Sequence, residues 1–228
     1  MKKAFTLAEI LITLGIIGIV AALTMPSLIQ KYQDQVTVNK VKKIYSVLNN
    51  AYNLYKIDNS HELIPWTPEG AEKTFSIFKP YLKIAKDCGL ESGKGCIYAD
   101  GGYKYLSNNG GSNPYSPSKN YYKVRLADGS SLVFRGGGDV YGDITVDLEV
   151  FYDVNGEKGP NTWGIDMFEF DVYNNQLKPT GTLLQEPANS CAVPEAKGWG
   201  CTAWVLYNEN LDYLHCDGLS WNGKRKCK

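Results

Sequence analysis

Residues 5–30 read FTLAEILITLGIIGIVAALTMPSLIQ and set the architecture of the chain. A helix needs about 20 apolar residues, each rising about 1.5 Å, to cross the hydrocarbon of a membrane. The uncharged run from Ile10 to Gln30 is long enough for that. The acid of this stretch, Glu9, stands near its start. A carboxylate in hydrocarbon is costly unless it has a partner, and that cost marks Glu9 as a functional residue.

Three interpretations of this segment compete. An ordinary secretory signal peptide has a basic start, a short apolar core and a small-residue cleavage site. Lys2, Lys3 and the pair Ala21-Ala22 are candidates for these features. A plain membrane anchor needs only the apolar length of residues 5–29. In the third interpretation a short basic leader is removed and the apolar segment stays in the mature protein.

The third interpretation is favoured because residues 4–20, AFTLAEILITLGIIGIV, resemble the N-terminal signal of type IV pilins and type II secretion pseudopilins. The resemblance covers residues 1–35 or so. It implies that prepilin peptidase cuts between Ala4 and Phe5 and methylates the new amine of Phe5. Ala4 stands where glycine is usual before the cut, and it is small enough for us to expect cleavage. Pro26 falls where many members of that family carry a helix-kinking proline.

The resemblance also implies a role for Glu9 in assembly. In a filament the apolar helices pack against each other, where an unpaired carboxylate is costly and a paired one is tolerated. The methylated amine of Phe5 on a neighbouring subunit stays cationic, so it is expected to pair with Glu9 and to set the register between subunits. The expected partners are prepilin peptidase, other pilin or pseudopilin subunits, the inner-membrane assembly platform, and membrane lipid before assembly. The simpler alternative is a Glu9 side chain that reaches the lipid headgroups.

Charge predicts the orientation of the segment. Lys2 and Lys3 precede the span, so the N-terminus is expected in the cytoplasm. The chain is then a single-pass protein of the bacterial inner membrane with a periplasmic or extracellular head, and later part of a filament or of the cell surface. The expected organisation is a leader at 1–4, a transmembrane and filament-core helix at 5–29, an amphipathic helix at 30–57 and a globular head at 58–228.

The helix is expected to continue beyond the apolar segment, because residues 30–56 contain neither glycine nor proline. Apolar side chains recur there at steps of three and four, at Val41, Ile44, Leu48, Tyr52 and Tyr55. Such a stripe buries itself against another layer. One long helix at 6–57 is therefore predicted, with its second half docked on a sheet.

The sequence pattern of residues 58–228 predicts that sheet. A short helix is expected at 68–86 and a loop region at 87–122. Alternating apolar residues and turn pairs predict antiparallel strands, at residues 121–127, 131–135, 143–153 and 167–173. The predicted fold class is α+β: a long N-terminal helix, apolar in its first half and amphipathic in its second, packed on an antiparallel β-sheet head of about four strands, with a disulfide-braced C-terminal region.

Six cysteines lie beyond the apolar segment, at Cys88, Cys96, Cys191, Cys201, Cys216 and Cys227. An even number behind a membrane-targeting segment predicts disulfides in an oxidising compartment. Pairing in sequence order is one choice among about 15. Zinc is the alternative, disfavoured because the sequence has no C-x-x-C pair and only two histidines. The resemblance adds that many pilins carry a disulfide-bounded region near the C-terminus.

The densest polar cluster is residues 153–166, DVNGEKGPNTWGID. Oxygen-bearing side chains alternate at Asp153, Asn155 and Glu157, and Asp166 ends the loop. Such ligands, with glycines that permit a tight wrap, suit calcium. The loop is not an EF-hand, because Lys158 occupies the position where that loop needs glycine. The other interpretation is a structured connection whose Asp and Asn side chains bond their own backbone and need no cofactor.

Composition excludes other classes. Lys plus Arg and Asp plus Glu both number 24, so no basic field predicts nucleic-acid binding. The sequence has no nucleophile elbow, zinc-protease motif or P-loop, so no enzyme is expected and a secreted enzyme behind an ordinary signal is disfavoured. A structural subunit of a type IV pilus or type II secretion filament is predicted; the alternative is a minor or tip subunit that acts as an adhesin or binding module. Its aromatic patch, which core packing explains equally well, would include Trp199, Trp204, Tyr207, Tyr213 and Trp221.

Overall fold

The computed structural model describes residues 6–60, 62–111, 115, 117–141, 143–182, 191–193 and 195–227. They form two compact units, divided between Val36 and Thr37. The first helix, α1, is Leu7–Asp58 and contributes residues to both units. It starts within a residue of the predicted position and includes Pro26.

In the second unit, α1 packs on a sheet through the predicted stripe. Its buried side chains recur every three or four residues, at Val38, Val41, Ile44, Leu48, Ala51 and Tyr52. They share one apolar core with one face of the sheet. The ring of Tyr45 stacks on that of Phe170 with 5.8 Å between centroids, and Lys40 Nζ donates a hydrogen bond to the carbonyl oxygen of Val154 at 2.6 Å.

The sheet has six antiparallel strands: β1 Ile84–Gly89, β2 Tyr122–Leu126, β3 Ser131–Gly136, β6 Leu148–Asp153, β7 Met167–Tyr173 and β8 Gln176–Pro179. Their order in the sheet is β1-β2-β3-β6-β7-β8. A separate hairpin pairs β4 Val140–Tyr141 with β5 Ile144–Thr145. The predicted class, a long helix on an antiparallel sheet, is confirmed.

Both faces of this sheet are covered, because alternate residues of a strand point to opposite sides. Phe134, Val150 and Phe170 belong to the core shared with α1. Val133 and Phe151, one position away in their strands, belong to a second cluster formed with rings from the loops. The second face therefore lies under loops and not under a helix.

Two element predictions were wrong, the helix at 68–86 and the strand at 143–153. The helix α2 is Pro68–Phe78, capped by Thr67 and followed by a short 3-10 turn at Lys79–Tyr81. The end of the predicted helix is instead the edge strand β1, which pairs with β2. The predicted strand 143–153 is divided, because the backbone of Val146 and Asp147 bonds to Asp139 and Val172 and leaves the ladder between β5 and β6.

Sequence patterns missed two elements near the C-terminus. The turn at Asn174 and Asn175, both with positive φ, leads into β8. A short helix, α3, is Cys201–Asn208 and packs on β7 and β8. Five consecutive residues of α3, 201–205, are buried and Tyr207 is exposed, so the helix lacks the three- and four-residue spacing by which an amphipathic helix is predicted.

Candidate functional site

The predicted assembly residue Glu9 lies in the first turn of α1. Its carboxylate oxygen Oε2 accepts hydrogen bonds from Thr6 N at 2.9 Å and from Thr6 Oγ1 at 2.8 Å. Thr6 Oγ1 in turn accepts from Glu9 N at 3.3 Å. This reciprocal pair is a capping box, which satisfies backbone donors at the start of a helix. The predicted processing residues Ala4 and Phe5 lie outside the described residues.

The apolar segment that follows Glu9 exposes its side chains. Leu7 is 75% exposed and Leu23 is equally exposed, and an 18-residue window of α1 has a mean hydropathy of 2.3 with none of it buried. This helix is long and apolar enough to cross a membrane. Its length and its exposed apolar surface are compatible with a single-pass membrane anchor.

The six cysteines form three disulfides in sequence order. Cys88–Cys96, Cys191–Cys201 and Cys216–Cys227 have Cα–Cα distances of 6.4, 4.9 and 5.9 Å. The predicted disulfides are confirmed. Two of the bridges flank α3 and tie down a region with a small core of its own. Each closes a short loop, so each is expected to stabilise the head by about 2–3 kcal/mol.

The loop at 153–166 joins β6 to β7 and holds its two acids as backbone acceptors. Asp153 Oδ1 accepts from Asn155 N at 3.0 Å and Gly156 N at 2.8 Å. Its Oδ2 accepts from the Tyr103 hydroxyl at 2.5 Å. Asp166 accepts from the two backbone N–H groups of 161 and 162, at 2.8 and 2.6 Å. The loop is wound around its own carboxylates, as the structural interpretation of the sequence expects.

Glycine is required at two positions of this loop. Gly156 has φ +71°, and a Cβ there would lie 2.9 Å from the carbonyl oxygen of Gly129. Gly164 has φ +76°, and a Cβ there would lie 2.8 Å from Cys201 Sγ. The loop thereby approaches the β2–β3 turn at one end and the start of α3 at the other. The repeated glycines of the motif follow from this close approach.

The predicted calcium ligands are only partly brought together. Asn155 Nδ2 lies 3.4 Å from Asp166 Oδ2, and the Asn155 Oδ1 atom is buried with no hydrogen-bond partner among the described residues. Glu157 is used elsewhere, since its Oε1 accepts from Gly95 N at 2.5 Å. Burial, with repulsion from Asp166, raises the pKa of Asp153 to about 8. Either a proton or a cation would relieve this pair of buried acids, and calcium at this loop stays a prediction.

A second acidic cluster was missed by sequence reasoning. On the second face of the sheet, carboxylate oxygens of Glu149, Glu169 and Asp171 all lie within 4.8 Å of one another. Arg135 binds Glu149 through Nε and Nη2, and its Nη2 also donates to Asp139 at 2.5 Å. The signal available in the sequence was the alternation of Glu169 and Asp171 in β7, which places both acids on one face of the strand. Asp171 is also the partner of Glu149 in the pairing of β6 with β7.

Burial changes the protonation of that cluster. It raises the pKa of Asp171 to about 7, although a hydrogen bond from Thr180 and the charge of Arg135 oppose the shift. Burial and the charges of Asp171 and Glu149 likewise raise the pKa of Glu169. Arg135 neutralises Glu149 directly, whereas the raised pKa values of Glu169 and Asp171 favour their protonated, uncharged forms.

The model of DUF6613, a family of unknown function, matches residues 27–221. The chain belongs to the DUF6613 family. The match begins inside the predicted apolar segment and includes the sheet, the loop at 153–166, α3 and a 3-10 turn at Asp212–Leu214. Membership by itself assigns no activity to a DUF6613 chain.

The DUF6613 chain is also similar to curated secretion proteins. It is 37% identical over 71 residues to the type II secretion system core protein G of Escherichia coli. The aligned segment covers 31% of this chain and 47% of that protein. It is 35% identical over 71 residues to the core protein G of Klebsiella michiganensis, 31% of this chain and 48% of that protein. The chain thus spans about half the length of these relatives. No solved structure matches it.

Proposed function

We propose that this chain is a pilin-like or pseudopilin structural subunit, built into a type IV pilus or type II secretion filament through its N-terminal helix, with no catalytic role. The observation that carries the proposal is the exposed apolar surface of α1 with one carboxylate at its start. The partial similarity to type II secretion system core protein G supports a pilin-like subunit independently.

The segment suits two environments in succession. Before assembly its exposed leucine and isoleucine side chains are solvated by lipid, and Glu9 lies near the end of the span, where its burial is partial. In a filament the same side chains pack against those of neighbouring helices. Glu9 is then buried, so it needs a cation, and the amine of Phe5 on an adjacent subunit supplies one.

Assembly would change the charge environment of Glu9 and leave its capping hydrogen bonds in place. In the isolated chain Glu9 is satisfied by Thr6, and these bonds leave its negative charge uncompensated. A neighbouring ammonium adds a charge-assisted bond to an acceptor that is already held in place by the helix start. Thr6 would therefore orient Glu9, and the neighbouring amine would neutralise it.

Processing and topology belong to the same proposal. A prepilin peptidase would release residues 1–4 and methylate Phe5. The inner membrane would hold the chain with its N-terminus cytoplasmic and its head periplasmic, and an assembly platform would extract it into a filament. The three disulfides of the head fit an oxidising compartment such as the periplasm.

Mass spectrometry of the mature N-terminus tests the proposal. We expect a chain that begins at Phe5 and carries one N-methyl group. The matched control is Ala4→Trp, whose bulk should block cleavage and leave residues 1–4 in place. A mature chain that begins near Ala22 would instead indicate an ordinary signal peptide, and an unprocessed Met1 in the unaltered protein would indicate a plain anchor.

A further inference from the structure

A cavity of about 290 Å³ opens on the second face of the sheet. Its floor carries Arg135 from β3 and Glu169 from β7, two strands separated by β6 in the sheet. Its walls are aromatic, and they include Trp66, Tyr105, Trp163 and Trp199. Trp66 is 49% exposed, so the cavity has an open rim. Apolar, aromatic walls with a few polar groups are the usual composition of a small-molecule site.

The walls are held by the rest of the fold. Trp163 belongs to the loop at 153–166, and its backbone N–H donates to Lys104 at 2.9 Å. Its ring meets Phe151 edge to face at 5.9 Å and Trp199 edge to face at 6.4 Å. Tyr105 meets Trp199 at 5.7 Å. The rings therefore support one another, and the cavity is formed before any ligand arrives.

One wall residue carries a buried donor without an acceptor. Trp163 is 1% exposed, and its indole Nε1–H has no hydrogen-bond partner among the described residues. An unpaired buried donor is destabilising, because it has lost its hydrogen bond to water and gained no acceptor. Such a group in a folded protein requires an explanation, and Trp163 is one of the residues that line the cavity.

The floor carries an acceptor without a donor. Glu149 is held by Arg135 and Asp171 accepts from Thr180 Oγ1 at 2.8 Å. The carboxylate of Glu169 receives no hydrogen bond or ion pair from the described part of the chain, although it lies within the same acidic cluster. The cavity thus combines a buried donor without a partner, at Trp163, with a half-buried carboxyl group, at Glu169, between aromatic walls.

We propose that this cavity binds one pyranose unit of an uncharged glycan. Hydroxyl groups are both donors and acceptors, so one sugar ring can accept from Trp163 Nε1–H and donate to the Glu169 carboxylate. The C–H bonds of the ring face carry partial positive charge and pack on the negative faces of the aromatic rings. The surplus of carboxylates around Glu169 excludes acidic sugars by charge repulsion.

Two other ligands match fewer of these features. A metal ion would use the carboxylates, but Glu149 is already bound by Arg135, and no cation can accept from the Trp163 N–H. An organic ammonium would also use the ring faces, which protein cations already occupy. Arg135 Cζ lies 5.0 Å from the Trp66 ring centroid, and Lys197 Nζ lies 4.7 Å from that of Trp199.

The proposal does not rest on filament assembly and is tested without it. The full chain is kept in micelles of a polyoxyethylene alkyl ether, a detergent with neither a sugar nor an ammonium headgroup. Disaccharides of glucose, galactose, mannose and N-acetylglucosamine are titrated to about 10 mM, which detects ligands bound by about 3 kcal/mol or more. Saturation-transfer NMR and tryptophan fluorescence report binding. Choline and calcium chloride are titrated in parallel.

Three variants locate the site. Trp163→Phe keeps an aromatic ring and removes the N–H, Glu169→Gln replaces the carboxyl group with an amide, and Trp199→Ala removes a wall. Each is expected to weaken binding of the disaccharide at least about tenfold. The matched control is Tyr207→Ala, which removes a 61% exposed aromatic ring outside the cavity and should leave binding unchanged. Thermal melting of each variant separates lost binding from lost folding.

Several outcomes overturn the proposal. One is the absence of any response to all four disaccharides from the folded chain. Another is a saturable response to choline or calcium in place of the sugars. A third is sugar binding that survives Trp163→Phe and Glu169→Gln in variants that still fold. None of these outcomes alters the mass of the mature N-terminus, so they leave the proposed subunit role independent.

Discussion

Two regions of this protein place carboxylates beside apolar surface, and they differ in how the carboxylates are satisfied. At the start of α1, Glu9 is a single acid that caps its own helix through Thr6. On the second face of the sheet, Glu149, Glu169 and Asp171 form a cluster around one arginine. The first site is built from neighbours in sequence and the second from three strands. A local motif therefore reveals the first, and only the tertiary structure assembles the second.

The largest expected effect tests whether Glu9 acts by charge or by capping. Glu9→Gln keeps a side chain that can still cap the helix but removes the charge that a neighbouring amine would neutralise. We expect it to abolish filament assembly, measured by electron microscopy and by subunit sedimentation. Thr6→Ala is the matched control, because it removes the capping partner and keeps the charge. It should cost about 1 kcal/mol of helix stability and still permit assembly.

Normal filaments from Glu9→Gln would contradict the pairing of Glu9 with the Phe5 amine. Loss of filaments from Thr6→Ala alone would assign Glu9 a capping role instead. Either result would make the N-terminal carboxylate resemble a purely local structural feature.

The next effect concerns the arginine that distinguishes the sheet cluster. Arg135→Gln leaves Glu149 buried beside two further acids without a cation, so the free energy of unfolding should fall by about 3–5 kcal/mol. Denaturation of the full chain in detergent, followed by tryptophan fluorescence, measures it. Arg125→Gln is the control, since Arg125 lies in the adjacent strand β2 and forms no ion pair among the described residues. A loss no larger than that of the control would mean that the cluster is already neutral.

A smaller effect is the pH dependence of the head. The pKa of Asp171 is raised to about 7 in the folded state, so the folded state holds a proton that the unfolded state has released above about pH 4. Stability is therefore highest at low pH and is lost as the pH rises towards 7, by about 1–3 kcal/mol. Melting temperatures of the full chain from pH 5 to pH 8 measure this slope. Asp171→Asn should reduce this slope without abolishing it, because Glu169 and Asp153 also have raised pKa values, and a stability that rises over this range would contradict the assignment.

The smallest expected effect tests calcium at the loop of residues 153–166. If calcium replaces the proton there, calcium chloride should raise the melting temperature at pH 8 by the equivalent of about 1 kcal/mol relative to a chelator. Asp166→Asn should remove that increase. Glu157→Gln should retain it, because Glu157 bonds to Gly95 and lies apart from the other predicted ligands. Identical melting curves with calcium and with chelator would favour the purely structural loop.

The features predicted correctly from sequence depend on local or periodic patterns. The stripe from Val41 to Tyr52 predicted which face of α1 is buried, and the alternation around Phe168 and Phe170 predicted a strand. The helix predicted at 68–86 was too long, since its C-terminal part becomes β1 by pairing with a strand more than thirty residues later. That pairing leaves little trace in the local pattern, because no residue of β1 is fully buried.

The cavity residues were hidden for a related reason. Trp199 was predicted to belong to a binding patch, and it does line the cavity. Trp204, predicted for the same patch, is fully buried in a cluster with the disulfide Cys191–Cys201 and Leu219. Trp163 was treated only as part of a polar loop. The sequence contains no indication that Trp66, Trp163 and Trp199 meet, because they come from separate connections.

The sequence by itself determined the apolar start with its lone acid, the stripe of α1 and the supply of cysteines, because each depends on residues close together in the chain or on simple counting. The tertiary structure decided the cysteine pairing, the second face of the sheet and the cavity above it. Those features depend on the register of β3, β6 and β7, which aligns Arg135, Glu149 and Asp171 across the ladder. Register is a long-range property, since moving a strand by one residue would send each of these charges to the opposite face.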